Sequence, residues 1–226
     1  MIPPLIVNEA LNKGITLIAI SDHNASANVP AVIEAAADSN LMVLPGMEIQ
    51  TKEEVHVLCL FDTLEQLKHT QSYVTDHLPT LKNDPDFFGE QFIVDKTGEF
   101  IRREEQLLIT SANLTVEEVF SFVIKLGGLA IPAHVDRSAF GLLANLGFIP
   151  PDIQVEAVEI SRNLDPADIA IKFPQISGYP FLQSGDAHRL DEIMGANLFW
   201  LNEPTIAEII MAFRNENGRS KHIRPS

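Results

Sequence analysis

Asp186 and His188 stand two residues apart at the end of the apolar run FLQSGDAH, residues 181–188. A carboxylate and an imidazole placed after a buried strand cost stability unless they bind something, because an unpaired buried charge is expensive. The same pattern recurs along the chain. AISDHN puts His23 after ITLIAI, LPGMEIQT puts Glu48 after LMVLP, EVHVLCL holds His56 inside an apolar run, and AIPAHVDR puts His134 after LAIP. His, Asp and Glu converging from several strands have the ligand chemistry of zinc, manganese or iron. His23, Glu48, His56, His134, Asp186 and His188 are therefore candidate metal ligands. Other polar residues have plainer readings. Asp22 is expected to cap the turn that follows it. His69 and His77 belong to the surface of a helix, and His222 to a flexible basic tail, GRSKHIRPS.

Elements that would position these ligands can be read from periodicity. Strands are expected at 15–20, 41–45, 55–61, 129–134, 155–161, 181–188 and 198–201. Helices are expected at 29–40, 63–78, 114–128 and 205–216, where apolar residues recur at helical spacing. The third of these has a Thr, a Glu three residues on, and Gly just past its end. Alternation of strand and helix predicts parallel strands covered by helices. A barrel-like α/β fold is favoured, with the ligands gathered at the C-terminal strand ends. Neither a Gly-rich dinucleotide fingerprint nor a phosphate loop is present. Residues 83–110 break the rhythm, and QFIVDKTGEFIRR predicts a hairpin turning near Lys96-Thr97-Gly98. This stretch is read as an insertion, a lid or dimer contact, on a single domain spanning 1–226.

Composition narrows the function. With 46% hydrophobic and 21% charged residues a substantial core is expected. The apolar runs are too short for a transmembrane helix, and the N-terminus lacks a signal-peptide pattern. Cys59 is the single cysteine and lies in VHVLCLF, so it reads as a buried thiol. A cytoplasmic location is the default expectation. The net charge of −15 argues against a broad nucleic-acid-binding face. It leaves room for a small phosphorylated ligand held by a few placed cations or metal ions.

The pieces ITLIAISDHN, VLPGMEIQT followed by EVHVLCLF, GGLAIPAHVDR and SGDAHRLDEIMG resemble, in that order, the PHP (polymerase and histidinol phosphatase) family. The resemblance runs from about residue 9 to 200. It implies a distorted (β/α)7 barrel that binds up to three divalent metal ions and hydrolyses phosphoesters. It implies that Glu48 bridges two metals, that His56 and His134 complete the second, that Asp186 serves the first, and that His23 and His188 serve the third. The family also opens with a strand carrying His-x-His, which nothing here matches. LIVNEALNKG already reads as the helix after that strand. The expectation is therefore a weakened first metal, reduced activity in this form, and an exposed strand edge that a homodimer would close.

The leading expectation is a metal-dependent phosphoesterase acting on a small phosphorylated metabolite, a nucleotide or a short oligonucleotide, with metals polarising the phosphoryl group and acidifying water. Arg137, Arg162 and Arg189 follow strands or sit beside ligands and are candidate phosphate clamps. The alternative for each is an ion pair with a neighbouring acid. No catalytic acid or base stands out, since a metal-bound His134 or His188 is poorly placed to donate a proton. A non-catalytic metal-binding or scaffold domain is the rival reading. An amidohydrolase-like enzyme is a third.

Overall fold

A computed structural model describes residues 1–224 of the chain. It is a mixed α/β structure. Its elements, in order, are α1 (Pro3–Asn12), β1 (Leu17–Ile20), α2 (Val29–Ala36), β2 (Met42–Gln50), β3 (His56–Leu60), α3 (Leu64–His77), α4 (Pro85–Phe88), β4 (Phe92–Val94), β5 (Phe100–Arg103) and α5 (Val116–Lys125). They continue with β6 (Leu129–Pro132), α6 (Leu142–Leu146), β7 (Val158–Ser161), α7 (Ile169–Lys172), β8 (Phe181–Ser184), β9 (Asn197–Trp200), α8 (Ile206–Arg214) and β10 (Ser220–Ile223).

Strand direction departs from the sequence expectation. The central sheet has the order β1-β2-β3-β6, and only its β1–β2 pairing is parallel. Both β2–β3 and β3–β6 are antiparallel. The cause is local: β2 runs on through Gly46 to Gln50, and a short turn at Thr51–Glu54 folds β3 directly back on it. A turn that short permits only an antiparallel partner. Gly46 sits where β1, β2 and β3 close on one another. A Cβ there would lie 2.8 Å from the Ile20 carbonyl oxygen. Strands β7 and β8 form a separate parallel pair, and β9 and β10 an antiparallel one. The Asn197 side chain joins these two, accepting from the Gln183 N–H (3.0 Å) and donating to the Gln183 carbonyl (2.8 Å). No closed barrel is formed among the described residues.

Alternation along β2 and β3 sorts the side chains into two faces. Met47, Ile49, Val57 and Cys59 pack outward with Phe61, Leu67, Val119, Phe120 and Val123 against α3 and α5. Leu44, Leu60, Leu129 and Ile131 face the other way, toward Ile209 and Phe213 of α8. Each large side chain buried this way contributes roughly 1.5–3 kcal/mol. Thr63 and Thr115 close capping boxes with Gln66 and Glu118, and α5 ends before Gly127, which has the left-handed φ of 78° that a helix stop requires.

On the second face lies a cavity of about 1040 Å³, open between β1 and the β8–β9 side. Leu17, Ala19, Leu58, Ile131, Leu182 and Phe199 line it. Among the described residues β1 pairs with β2 alone, so its other edge faces this space.

Segment 83–110 contains α4 and the β4–β5 hairpin. The Asp95 carboxylate ties the turn by accepting from the backbone N–H groups of Thr97 and Glu99. The C-terminal stretch corrects another expectation. Instead of a loose tail, Ser220–Ile223 pairs with β9, and Arg219 is forked onto Glu208 of α8 at 2.6 and 2.7 Å. No helix among the described residues is long and apolar enough to cross a membrane.

Candidate metal centre

Beyond β1 the chain continues beside β2 through a single parallel bridge, His23 to Glu48. Asn24 fixes this stretch. Its N–H donates to the Glu48 carbonyl (2.8 Å), and its side chain donates to the Leu108 and Thr110 carbonyls and accepts from the Gln50 N–H. Glu48 is the next position on the cavity-facing side of β2, and His56 opens β3 opposite Gln50. His134 follows β6 with a φ of 29°, a strained value for a residue with a side chain.

These four residues converge. The Glu48 Oε2 lies 3.2 Å from His23 Nδ1 and 3.4 Å from His56 Nδ1, and Oε1 lies 3.6 Å from His134 Nε2. His56 Nδ1 and His134 Nε2 are 3.2 Å apart. Ligand atoms of His23, Glu48 and His56 all lie within 4.8 Å of one another. Atoms about 2.0–2.1 Å from a tetrahedral ion are about 3.3 Å from each other, which is the scale seen here. Several ring nitrogens face one carboxylate, and His23 Nδ1 is buried without a hydrogen-bond partner. A divalent cation would satisfy these atoms together, so the donor set fits a metal.

Electrostatics agree with that grouping. Burial alone would raise the Glu48 carboxyl, but the His134 hydrogen bond and the charges of His23, His56 and His134 hold it below the usual carboxylate range. Burial pushes His56 down to about 4, against the pull of Glu48, which keeps its ring neutral and able to ligate at neutral pH. His134 moves the other way: burial would lower it, but Glu48 raises it overall.

Asp186 and His188 line the same cavity as Glu48 and His23. Strand alternation does not put them there, because β8 ends at Ser184 and Asp186 has a φ of 44°. A tight turn does, with the Asp186 N–H on Ser184 Oγ at 3.1 Å. The His188 side chain is 67% exposed, and its ring centre is 6.4 Å from that of His23. Asp186 is gripped by Arg137, Nη1 to Oδ2 at 2.5 Å. Arg137 therefore reaches the cluster, as the partner of a candidate ligand. Arg162 pairs with Glu192 at 3.2 Å, and Arg189 gives its backbone N–H to the same Glu192. Neither side chain lines the cavity.

His69 pairs with Glu65 on α3, and the His77 ring nitrogen meets the Tyr73 carbonyl. Asp22 lines the cavity. Burial raises its carboxyl, opposed by a hydrogen bond from the Asn28 side chain. His222 lies in β10.

Two residues that the sequence reading passed over belong to the site. Glu159 in β7 is buried, lines the cavity, and accepts the His134 backbone N–H at 3.3 Å. Burial, helped by the Glu48 charge, pushes its carboxyl up to about 7. Its signal was a carboxylate inside the apolar run AVEIS, the same kind of signal that marked Glu48. Phe140 stacks on His56 with ring centres 4.5 Å apart, and its carbonyl accepts the His56 N–H at 3.0 Å. Nothing in the sequence marks Phe140, because a loop brings it there.

The family resemblance implies one grouping of these ligands, and the distances bring a further histidine to it. That resemblance sets Glu48 with His56 and His134, and His23 with His188. Contacts of 3.2–3.6 Å link Glu48, His56 and His134, and His23 joins them, its ligand atom lying within 4.8 Å of those of Glu48 and His56.

No family model matches the chain. YqxK, an uncharacterized protein of Bacillus subtilis, is 25% identical over 224 residues, covering 95% of this chain and 55% of its own. The crystal structure of the lesion-specific endonuclease PfuEndoQ from Pyrococcus furiosus superposes with a TM-score of 0.69 at 21% identity, over 98% of this chain and 53% of that one. A Bifidobacterium adolescentis protein assigned as a metal-dependent phosphoesterase gives 0.53 at 18% identity, over 83% of this chain and 82% of that one. The chain thus spans about half the length of the curated relative and of the endonuclease. It shares its fold with the endonuclease and with the Bifidobacterium protein.

Proposed function

We propose that this chain forms the metal-binding unit of a metal-dependent phosphoesterase, with zinc, manganese or iron held by His23, Glu48, His56 and His134. Asp186 and His188 would complete the site from the opposite wall. The observation that carries the reading is three histidines turned onto one buried carboxylate, with His23 Nδ1 left unpartnered beside it. A divalent cation supplies charge stabilisation to a phosphoryl oxygen and lowers the pKa of water. The chain's own residues do the rest. Glu48 presents its two oxygens to different histidines, as a carboxylate shared between two ions would. His56 stays neutral and available, and Glu159 holds the backbone of His134.

The architecture is read as a distorted (β/α)7 barrel with the cavity at an open seam. The substrate is a phosphoester: a small metabolite, a nucleotide or a short oligonucleotide. The fold shared with a lesion-specific endonuclease supports a nucleic-acid phosphodiester within that class. A cytoplasmic location and a homodimer belong to the same reading. A non-catalytic metal-binding role is the second reading, favoured by Arg137, which already neutralises Asp186.

The test is metal content together with Mn²⁺-dependent hydrolysis of a generic phosphomonoester and a short oligonucleotide. Wild type should bind metal, and replacing His56 and His134 together by Ala should abolish it. Metal content unchanged in the double variant would overturn the site. Bound metal with no hydrolysis of either substrate would favour the second reading.

A further inference from the structure

We propose that the Arg137 guanidinium is a built-in counter-ion for Asp186 that a divalent cation must displace, so that cation entry frees Arg137 to grip the substrate phosphate. This rests on the metal reading above and adds an order of events to it. The two residues come from different parts of the fold. Arg137 lies in the loop after β6, its N–H on the His134 carbonyl at 2.9 Å. Asp186 lies in the turn after β8. Their side chains meet at 2.5 Å through a single guanidinium nitrogen, Nη1 on Oδ2.

That turn does not depend on Arg137. Asp186 is held in left-handed backbone by Ser184 Oγ, and Gly185 is packed so closely that a Cβ would meet the Glu192 carbonyl oxygen at 2.1 Å. The carboxylate therefore keeps its place on the cavity wall if the guanidinium leaves. Its second oxygen lies 3.8 Å from His188 Nδ1, which meets the Asp186 backbone carbonyl at 2.9 Å, and Asp186 lines the cavity with His23 and Glu48. The Arg137 side chain is 36% exposed, so it has somewhere to go. A cation that takes both carboxylate oxygens competes with the guanidinium for Oδ2, and on that oxygen only one of the two can stay. The displaced fork matches two oxygens of a phosphate, for which arginine is well shaped. Because coupling between binding events is reciprocal, whatever draws Arg137 away also tightens the cation.

The experiment is calorimetric titration of the full chain with Mn²⁺, and of the Mn²⁺-loaded chain with inorganic phosphate. It compares wild type, Arg137→Ala, Arg137→Gln, Arg137→Lys, Asp186→Asn and the Arg137→Ala/Asp186→Asn pair. Arg137→Ala should bind Mn²⁺ about fivefold tighter than wild type, the scale of a partly exposed ion pair. Arg137→Gln should do the same, which guards against a folding defect in one variant. The gain should vanish in the Asp186→Asn background. Phosphate should bind more weakly to loaded Arg137→Ala and recover in part with Arg137→Lys. Mn²⁺ affinity unchanged or weakened in both Arg137 variants overturns the inference while wild-type binding leaves the metal reading standing. A gain that persists in the Asp186→Asn background overturns it as well. No Mn²⁺ binding by wild type overturns both.

Discussion

Glu159 shows how a residue outside the donor set can govern it. His134 meets Glu48 from a backbone with a φ of 29°, and the Glu159 carboxylate holds the N–H of that strained residue. Removing the acceptor should let the backbone relax and swing the ring away. Outer partners of this kind are typically worth 10–100-fold in metal affinity. Glu159→Ala is therefore expected to weaken Mn²⁺ binding by about tenfold or more. Glu159→Gln, which keeps a carbonyl acceptor at the same reach, should retain most of it. Equal loss in both variants, measured by calorimetry, would mean that charge rather than the hydrogen bond is at work. At this scale the sequence is legible where a polar residue interrupts an apolar strand. His23, Glu48, His56 and His134 were marked in that way, and Glu159 carried the same mark unread. Phe140 carried none, because its stacking on His56 depends on how the loop after β6 folds back.

Elements were legible as far as local pattern decides them. Helices α3, α5 and α8 lie inside their expected spans because capping and apolar spacing are properties of neighbouring residues. Strand direction was not legible, since it depends on whether Thr51–Glu54 turns tightly. Nor was β10, whose pairing with β9 is secured by a long-range clamp: Glu208 of α8 binds Arg219 and also accepts the Asn202 N–H at 2.8 Å. The Arg219 hydrogen bond, followed by the one from Asn202, holds the Glu208 carboxyl down at about 2, well below its ordinary value near 4.5. A depressed folded-state value means stability that is present above about 4.5 and lost as pH falls through about 2. Glu208→Gln should therefore melt below wild type at pH 7, with the difference closing as pH approaches 2. A constant difference across that window would show that the carboxylate charge is not what matters. The free edge of β1 gives a second expectation. A copy of the chain pairing along Leu17–Ile20 would cover unpaired backbone groups that otherwise exchange with water. Dimers by light scattering at micromolar concentration, with amide exchange in β1 slowing as concentration rises, are the expected outcome. A monomer whose β1 amides exchange quickly at every concentration would leave the edge open.

For the molecule as a whole, the charge of −15 sets how a phosphorylated substrate can approach. Three divalent cations would leave the chain still well negative. Lys13 and Arg224 are the lysine and arginine that line the cavity among the described residues, and Lys13 is paired with Glu9 at 3.0 Å, while Arg137, beside the cluster, is paired with Asp186. A small phosphoester carries few charges and enters the range of the site's own field only at the end of its approach. A longer oligonucleotide is repelled from farther away. Repulsion of this kind reaches about 30 Å at 0.01 M salt but only about 8 Å at 0.15 M. Added salt should therefore help the oligonucleotide, the reverse of the steep loss shown by proteins that bind nucleic acid through a basic face. Between 0.01 and 0.15 M monovalent salt, at saturating Mn²⁺, kcat/KM for a 20-nucleotide single strand is expected to rise, while that for a phosphomonoester should change little. Measuring both in the same buffers separates screening from any general effect of salt on the protein or its metal. A steep fall for the oligonucleotide alone would mean that phosphates are being neutralised by lysine and arginine, and the reading of an acidic unit serving short or small substrates would then have to be given up.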